Sequence, residues 1–299
     1  SYSKTDPAAT FMRMKEDHMK NGQLKPAHNI QISTENQFYT HYDFFPNPTD
    51  TLTLIPFLNG FKNRYDKFPA KNVADAGYGS EENYEFMEKN HIAAFVKYNY
   101  FHKEQSKSFK NNAFHAQNLY YNKAEDYYVC PMGQHMEKTG NATRKSESGY
   151  ESHLSVYQAK NCTGCPLRCL CHRAKGNRKI EVNHNLNRHK EIARQRLTSE
   201  EGLMHRSRRS IEPESVFGQS KSNKGYNRFR HFDEDKPEKV MMDFAIFAIA
   251  FNVLKLHRKN ESTGEKLSES QKTTLYLCFF VVFTSSVDKC TKFENPIGE

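Results

Sequence analysis

The chain has 299 residues, with 44 Lys and Arg against 35 Asp and Glu for a formal charge of +9, and 7 Cys. That length can bury a full core and hold one large domain or two small ones; we expect one domain carrying an insertion. An odd number of cysteines with no basic-then-apolar leader after Ser1 argues against a secreted disulfide framework, and the apolar runs 240–256 and 275–283 are too interrupted or too short for the roughly 20 apolar residues of a membrane span.

Taken in chain order, the first residues are polar and read as irregular, with Asp6-Pro7 favouring a turn and Met12, Met14 and Met19 free to pack underneath. Ala27 to Thr34 alternates, Ile30 and Ile32 on one side and Asn29, Gln31 and Ser33 on the other, which predicts a half-buried strand. Gln37 to Phe45 supplies aromatic strand formers after a turn at Glu35-Asn36, so the two runs form an antiparallel hairpin. Leu52, Leu54, Ile55, Leu58 and Phe61 recur at helical spacing, with Asp50 as the candidate cap and Pro56 near the start.

Val73 and Ala74 then lead into Asp75 like the end of a short buried strand, Gly77 and Gly79 break it, and Ser80 caps a helix whose first turn carries Glu81 and Glu82. Ligands bind at the carboxyl ends of strands in open α/β sheets, which makes Asp75 a site candidate; the competing reading is an aspartate that caps its own turn. His91 to Tyr98 is a further apolar strand, so the sheet is mixed.

From about residue 100 to 183 the sequence changes to short aromatic strands around polar turns, such as 119–121 and 127–129. This stretch carries Cys130, the Cys162-x-x-Cys165 pair, Cys169 and Cys171. A Cys-x-x-Cys turn brings two thiolates to one ion and two more cysteines complete a tetrahedron, so Cys130, Cys162, Cys165 and Cys171 are assigned as structural zinc ligands. Cys169 competes for the fourth place and His172 is a weaker competitor; unbound thiols are the alternative, and a redox pair lacks its βαβ setting.

Asn185 to Leu197 is a basic helix with a thin apolar stripe, and it leads to the most informative segment, Arg206 to Arg230. On a helix, Glu214, Phe217, Gly218 and Lys221 share one face, setting a metal-ligating carboxylate beside a cation that can touch phosphate. Two solvated surface residues are the competing reading. Pro213 either starts a new helix or kinks a long one. Lys239 to Arg258 is apolar nearly all round and should be a helix buried against the sheet, and beyond Asn260 follow a polar linker and a tail.

Together these stretches resemble the RNase H-like DDE transposases of bacterial insertion sequences, in the subgroup with a cysteine-bearing insertion before the final glutamate. The resemblance rests on T-D-P-A-A-T-F-M-R-M-K (Thr5 to Lys15), G-Q-L-K-P-A-H-N-I-Q-I (Gly22 to Ile32), A-D-A-G-Y-G-S-E-E-N-Y (Ala74 to Tyr84), the cysteines, E-S-V-F-G-Q-S-K (Glu214 to Lys221), Arg228-Phe229, and Ala248 with Asn252 to Leu256. It covers about Thr5 to His257.

The resemblance implies an α/β fold: an RNase H-like mixed sheet flanked by helices, with a small β-rich cysteine-containing insertion. Its core would span 1–99 and 185–258, the insertion 100–184 and a tail 259–299. It further implies that Asp75 is the second catalytic aspartate and Glu214 the catalytic glutamate, Glu212 being the near rival, and that they bind magnesium in a two-ion site. The strand with the first aspartate would lie upstream of the T-D-P stretch, so the sequence reads as truncated. Arg209, Lys221, Lys224, Arg228 and Arg230 would contact DNA, and the partners would be transposon ends and target DNA, with a homodimer in the active complex and no membrane. The expected setting is the bacterial cytoplasm. A catalytically incomplete remnant that only binds DNA is the alternative reading, and a zinc-ribbon RNA-binding protein explains the cysteines but neither carboxylate.

Overall fold

The hairpin is the element on which the first half of the fold is assembled, and its turn is set by two residues with positive φ, Asn36 at 52° and Gln37 at 68°. That pairing of left-handed residues matches the twist of the flanking strands. The structure, a computed structural model, describes residues 9–13, 22–226 and 237–263. In chain order come β1 (Thr10–Arg13), β2 (Leu24–Ala27), β3 (Asn29–Glu35), β4 (Phe38–Phe45) and α1 (Leu54–Tyr65). There follow β5 (Lys71–Ala74), α2 (Glu81–Lys89), β6 (Ala93–Val96), α3 (Lys107–Lys110), β7 (Tyr120–Asn122) and β8 (Tyr127–Val129). The rest are β9 (His135–Lys145), β10 (Glu151–Ala159), α4 (Arg168–Cys171), β11 (Lys179–Val182), α5 (His184–Thr198), α6 (Glu200–Arg208), α7 (Ser215–Gly218) and α8 (Pro237–Thr263). The chain is thus a mixed α/β protein with helices and a five-stranded antiparallel sheet. It divides into two compact units, one formed by residues 1–69 and 204–299, the other by 70–203.

In the first unit β3 and β4 pair antiparallel, with a register shift between Ser33 and Thr34. β1 and β2 pair likewise, so Thr10–Arg13 is a strand where an irregular segment was expected. Phe11 and Met12 are only part-buried, and short-range pairing with Leu24–Ala27 supplies the order that composition did not signal. Met14 and Met19, like the Asp6-Pro7 turn, lie outside the described residues.

The helix after the hairpin forms, but Asp50 does not cap it. Asp50 sits in a short 3-10 turn and its carboxylate accepts from the side chains of Asn29 (3.2 Å) and Gln31 (3.0 Å), while Thr53 precedes α1 without a side-chain cap. The core of this unit joins Tyr39, Tyr42, Val216, Phe244, Ala245, Ala248 and Phe251. Accordingly α8 buries one stripe only: Ile246 is 63% exposed and Leu254 43%, contrary to the expected all-round burial. The residues packed against it, from β3, β4 and the segment 216–226, cover that one stripe. By length and composition residues 239–260 could also cross a membrane, a property shared by core helices of soluble proteins.

In the second unit β5 and β6 are a parallel pair, joined through α2. β5 is half exposed, with Val73 at 38%, not the buried strand expected. Ser80 does cap α2, accepting from Asn83 N–H at 3.2 Å. α5 starts at His184 with Asn183 as its cap, Asn183 accepting from Leu186 N–H at 2.8 Å. Glu81 ties three elements, accepting from Ser152, Asn183 and Asn185. The residues from 120 to 182 form a continuous antiparallel meander in the order β11-β10-β9-β8-β7 around Leu119, Tyr128, Met136, Tyr157 and Ile180. Its two central strands are 11 and 9 residues long, where short strands were expected.

His41 on β4 is 4% exposed and packs on the Phe57 ring of α1 at 4.7 Å. Gly60 allows this closeness, since a Cβ there would meet His41 Nε2 at 3.0 Å. Burial first, then the charge of Arg64, push the His41 pKa from 6.5 to about 3. The unfolded chain therefore takes up a proton at this site over a pH range in which the folded chain does not, and stability is lost as pH falls from 6.5 toward 3. Urea midpoints across that window should fall less steeply with pH in His41→Phe than in the parent; an unchanged slope would show that His41 is not a source of the dependence.

Candidate functional site

Glu214 is carried by a helical segment with two widened turns. Pro213 has no N–H, and its ring collides with the carbonyl four residues back in a regular helix. The chain resolves this with π turns at Ser210–Glu214 and Gln219–Asn223 on either side of α7, and Glu214 N–H reaches back five residues to Arg209 O at 3.4 Å. Pro213 therefore neither starts nor breaks the helix; the backbone stays helical from Arg209 through Gln219.

This segment presents two faces. Val216 (1%) and Ser220 (5%) are buried, whereas Glu214, Phe217, Gly218 and Lys221 are exposed, as their spacing predicted. Ser220 donates to Val216 O at 2.8 Å and shares a 2.5 Å hydrogen bond with the Tyr39 hydroxyl. The same Tyr39 exchanges two backbone hydrogen bonds with the Asn252 side chain of α8, each 2.9 Å. Burial raises the Tyr39 pKa, keeping its hydroxyl protonated.

The two nearby glutamates are used differently. Glu212 accepts from the hairpin N–H of Gln37 at 2.8 Å, while from α8 Lys255 donates to the Gln37 side-chain oxygen and Lys259 to Asn36 O. No hydrogen bond or ion pair engages the Glu214 side chain among the described residues. Arg209 and Lys224 are half-buried and Lys221 is exposed on this unit; Arg228 and Arg230 lie outside the described residues, as does the tail beyond Thr263.

Asp75 belongs to the second unit, exposed at the carboxyl end of β5. One of its oxygens accepts from Ala76 N–H at 2.9 Å and caps a 3-10 turn, Ala76–Tyr78. Gly79 closes that loop against the end of β6: a Cβ there would run into Lys97 O and stand 2.8 Å from Tyr98 Cα. Gly79, one of the two glycines that read as strand breakers, thus also permits a close backbone approach in the loop that follows Asp75.

The cysteines converge in the same unit. Cys130, Cys162, Cys165, Cys171, His172 and Arg178 line one small cavity beside the meander core, while Cys169 is exposed and does not. The thiols stand around the cavity and not on a common point: among the described residues no group of three or more His, Cys, Asp or Glu side chains is gathered closely enough to hold a metal ion. Arg178, 6% exposed, places Nη1 2.9 Å from Cys171 Sγ and donates through Nη2 to Phe114 O at 2.6 Å. Both ring nitrogens of His172 are shielded from solvent and have no hydrogen-bond partner, and burial holds its pKa below the ordinary value. Arg178 had no sequence signal, because it sits in a run of basic residues that reads as surface.

The described residues around Glu214 thus place an exposed carboxylate and an exposed lysine, Lys221, on one helical segment of a mixed α/β protein. Residues 129–257 match the model of a family described as transposase DDE domain. The match supports a DDE transposase, a class that generally uses divalent metal ions and binds DNA, and it covers less than half of the chain. It includes Glu214 and the five described cysteines, while Asp75 precedes it. No curated protein and no solved structure matches the chain.

The division of labour between the glutamates is measurable. Glu212→Ala should cost about 1 kcal/mol in urea unfolding by orphaning the Gln37 N–H, whereas Glu214→Ala should stay within about 0.5 kcal/mol of the parent. A larger loss at Glu214 than at Glu212 would mean that Glu214 carries structure.

Proposed function

We propose that this chain is the catalytic part of an RNase H-like insertion-sequence transposase, cutting and joining DNA strands in a bacterial cytoplasm. The match of residues 129–257 to the transposase DDE family carries the reading. In it the core runs through 1–99 and 185–258, and the cysteine-bearing stretch 100–184 is an insertion. Asp75 and Glu214 are the metal-ligating carboxylates, with Glu214 preferred over Glu212 because its side chain is exposed and uncommitted.

Both groups offer the hard oxygen donors that magnesium takes, so the donor chemistry fits. Magnesium, when bound, supplies positive charge at the scissile phosphate and lowers the pKa of an attacking water or 3′ hydroxyl. The chain's own residues do the rest. Burial of Val216 and Ser220 turns the Glu214 side of the segment outward and leaves its carboxylate accessible to a ligand. Lys221, exposed on the same segment, pairs with a DNA phosphate, as do Arg209 and Lys224 and, later in the sequence, Arg228 and Arg230, positioning the backbone without reading bases. The active complex is a homodimer on transposon ends and target.

One observation favours a second reading, a module that binds DNA without cutting it: no three ligating side chains are gathered among the described residues. Magnesium-dependent nicking of duplex DNA by the full chain separates the two. Asp75→Asn and Glu214→Gln should each lower nicking by at least about 100-fold, or roughly 2.7 kcal/mol, with DNA retention and the melting midpoint unchanged. Variants that cut at the parental rate would remove the assignment, and a parent that retains DNA but never cuts would favour the second reading.

A further inference from the structure

The cavity beside the meander poses a charge problem that does not depend on the carboxylates. Arg178 is a permanent cation, 6% exposed, and among the described residues it has no carboxylate partner: its guanidinium meets only the Phe114 carbonyl and the Cys171 sulfur, and its own backbone N–H points at Cys162 Sγ at 3.4 Å. Buried charges are paired as a rule, because removing an ion from water costs several kcal/mol when nothing replaces the solvent. The groups at hand that can become anionic are thiols.

Two tight turns deliver those thiols. Gly133 N–H bonds Cys130 O at 2.8 Å with Gly133 at φ 80°, and Cys165 N–H bonds Cys162 O at 3.4 Å with Gly164 at φ 70°. Each glycine takes a conformation that other residues adopt only under strain, and each points its cysteine inward from a turn. The short helix α4 then returns Cys171 to the same cavity. Arg168 pins the connecting loop by donating to the Cys162 and Ala174 carbonyls at 3.0 and 3.1 Å. The shielded, unpartnered imidazole of His172 is a further polar group left without an internal partner on that wall.

We propose that Cys130, Cys162, Cys165 and Cys171 bind one zinc-class divalent ion as a tetrathiolate centre, with Arg178 as the buried countercharge. On binding, four thiols release their protons to solvent as four sulfur–metal bonds of about 2.3 Å form, and nothing is oxidised or reduced. Four thiolates around a divalent ion leave a net negative charge, which Arg178 offsets through the 2.9 Å contact to Cys171. The ion draws together side chains that now line the cavity, and it fastens the loop 160–178 to the β8–β9 turn. Cys169, exposed and absent from the cavity wall, is not a ligand.

The test uses the full chain, purified reduced and without a metal-binding tag from zinc-supplemented culture. Elemental analysis should find about one zinc per chain, and cobalt exchange should give thiolate-to-metal charge-transfer bands with a tetrahedral d–d envelope. Cys169→Ser should keep both signals. Cys162→Ser and Cys165→Ser should lose them, and Arg178→Gln should keep the stoichiometry but release metal to a chelator at least about tenfold faster. Should a cysteine variant fail to fold, thiol titration of the parent decides: four protected thiols that become reactive on chelation support the centre. A parent with no bound metal and freely reactive thiols would overturn the proposal, and metal loss in Cys169→Ser would overturn the ligand set. None of these readouts depends on DNA cleavage, so the zinc-class centre and the transposase reading can fail separately.

Discussion

Tyr39 is the residue on which the first unit depends. It lies in the edge of a two-stranded hairpin, a structure that is marginal by itself in water. Its backbone amide and carbonyl are both taken by Asn252, in place of the strand neighbour that would otherwise satisfy them, and its hydroxyl is taken by Ser220. One residue thereby connects the strand to α8 and to the segment that bears Glu214. The Tyr39 ring packs against Phe244 and Phe251 at 5.7 and 5.0 Å, so the hydrogen bonds are made within an apolar setting where leaving any of them unmade is expensive.

That anchoring explains why the helix tolerates a proline beside its exposed carboxylate. The π turn at Ser210–Glu214 takes up the missing donor and the ring clash, and the side chains two and six residues past Glu214, Val216 and Ser220, fix the outcome by burial. Wide turns of this kind are frequent at functional sites, since they change which residues a helix presents without ending it. Here the result is an outward Glu214 and an inward-tied Glu212, two glutamates separated by one proline and given different work. In the second unit, four cysteines line a cavity that also holds a buried guanidinium, Arg178.

Much of this was legible where a pattern had one physical cause. The strand through Ile30 and Ile32, the cap at Ser80 and the exposed positions of Glu214, Phe217 and Gly218 follow from local pattern and appear in the structure, although Gln31, expected on the outer side of that strand, is more buried than either isoleucine. What was not legible depends on long-range partners. β9 reads H-M-E-K-T-G-N-A-T-R-K, with only Met136 fully buried, and it is a strand because β8 and β10 flank it. Asp50 looked like a helix cap, but the Asn29 and Gln31 side chains compete for its oxygens. α8 looked apolar all round, and nothing in its composition says that one side meets β4 while Ile246 faces out. The choice between Glu212 and Glu214 rested on the resemblance alone, whereas the structure separates them by a single backbone donor, Gln37 N–H.

The proposal most directly open to test is that Asp75 and Glu214 each ligate divalent metal when DNA is bound. Replacing magnesium with ferrous iron in the DNA-bound chain and adding peroxide and ascorbate generates radicals that break the polypeptide next to the ion. The account predicts backbone cuts flanking both Asp75 and Glu214, suppressed by excess magnesium. Cuts at neither segment, or near Glu212 in a pattern unaffected by Glu214→Gln, would contradict it.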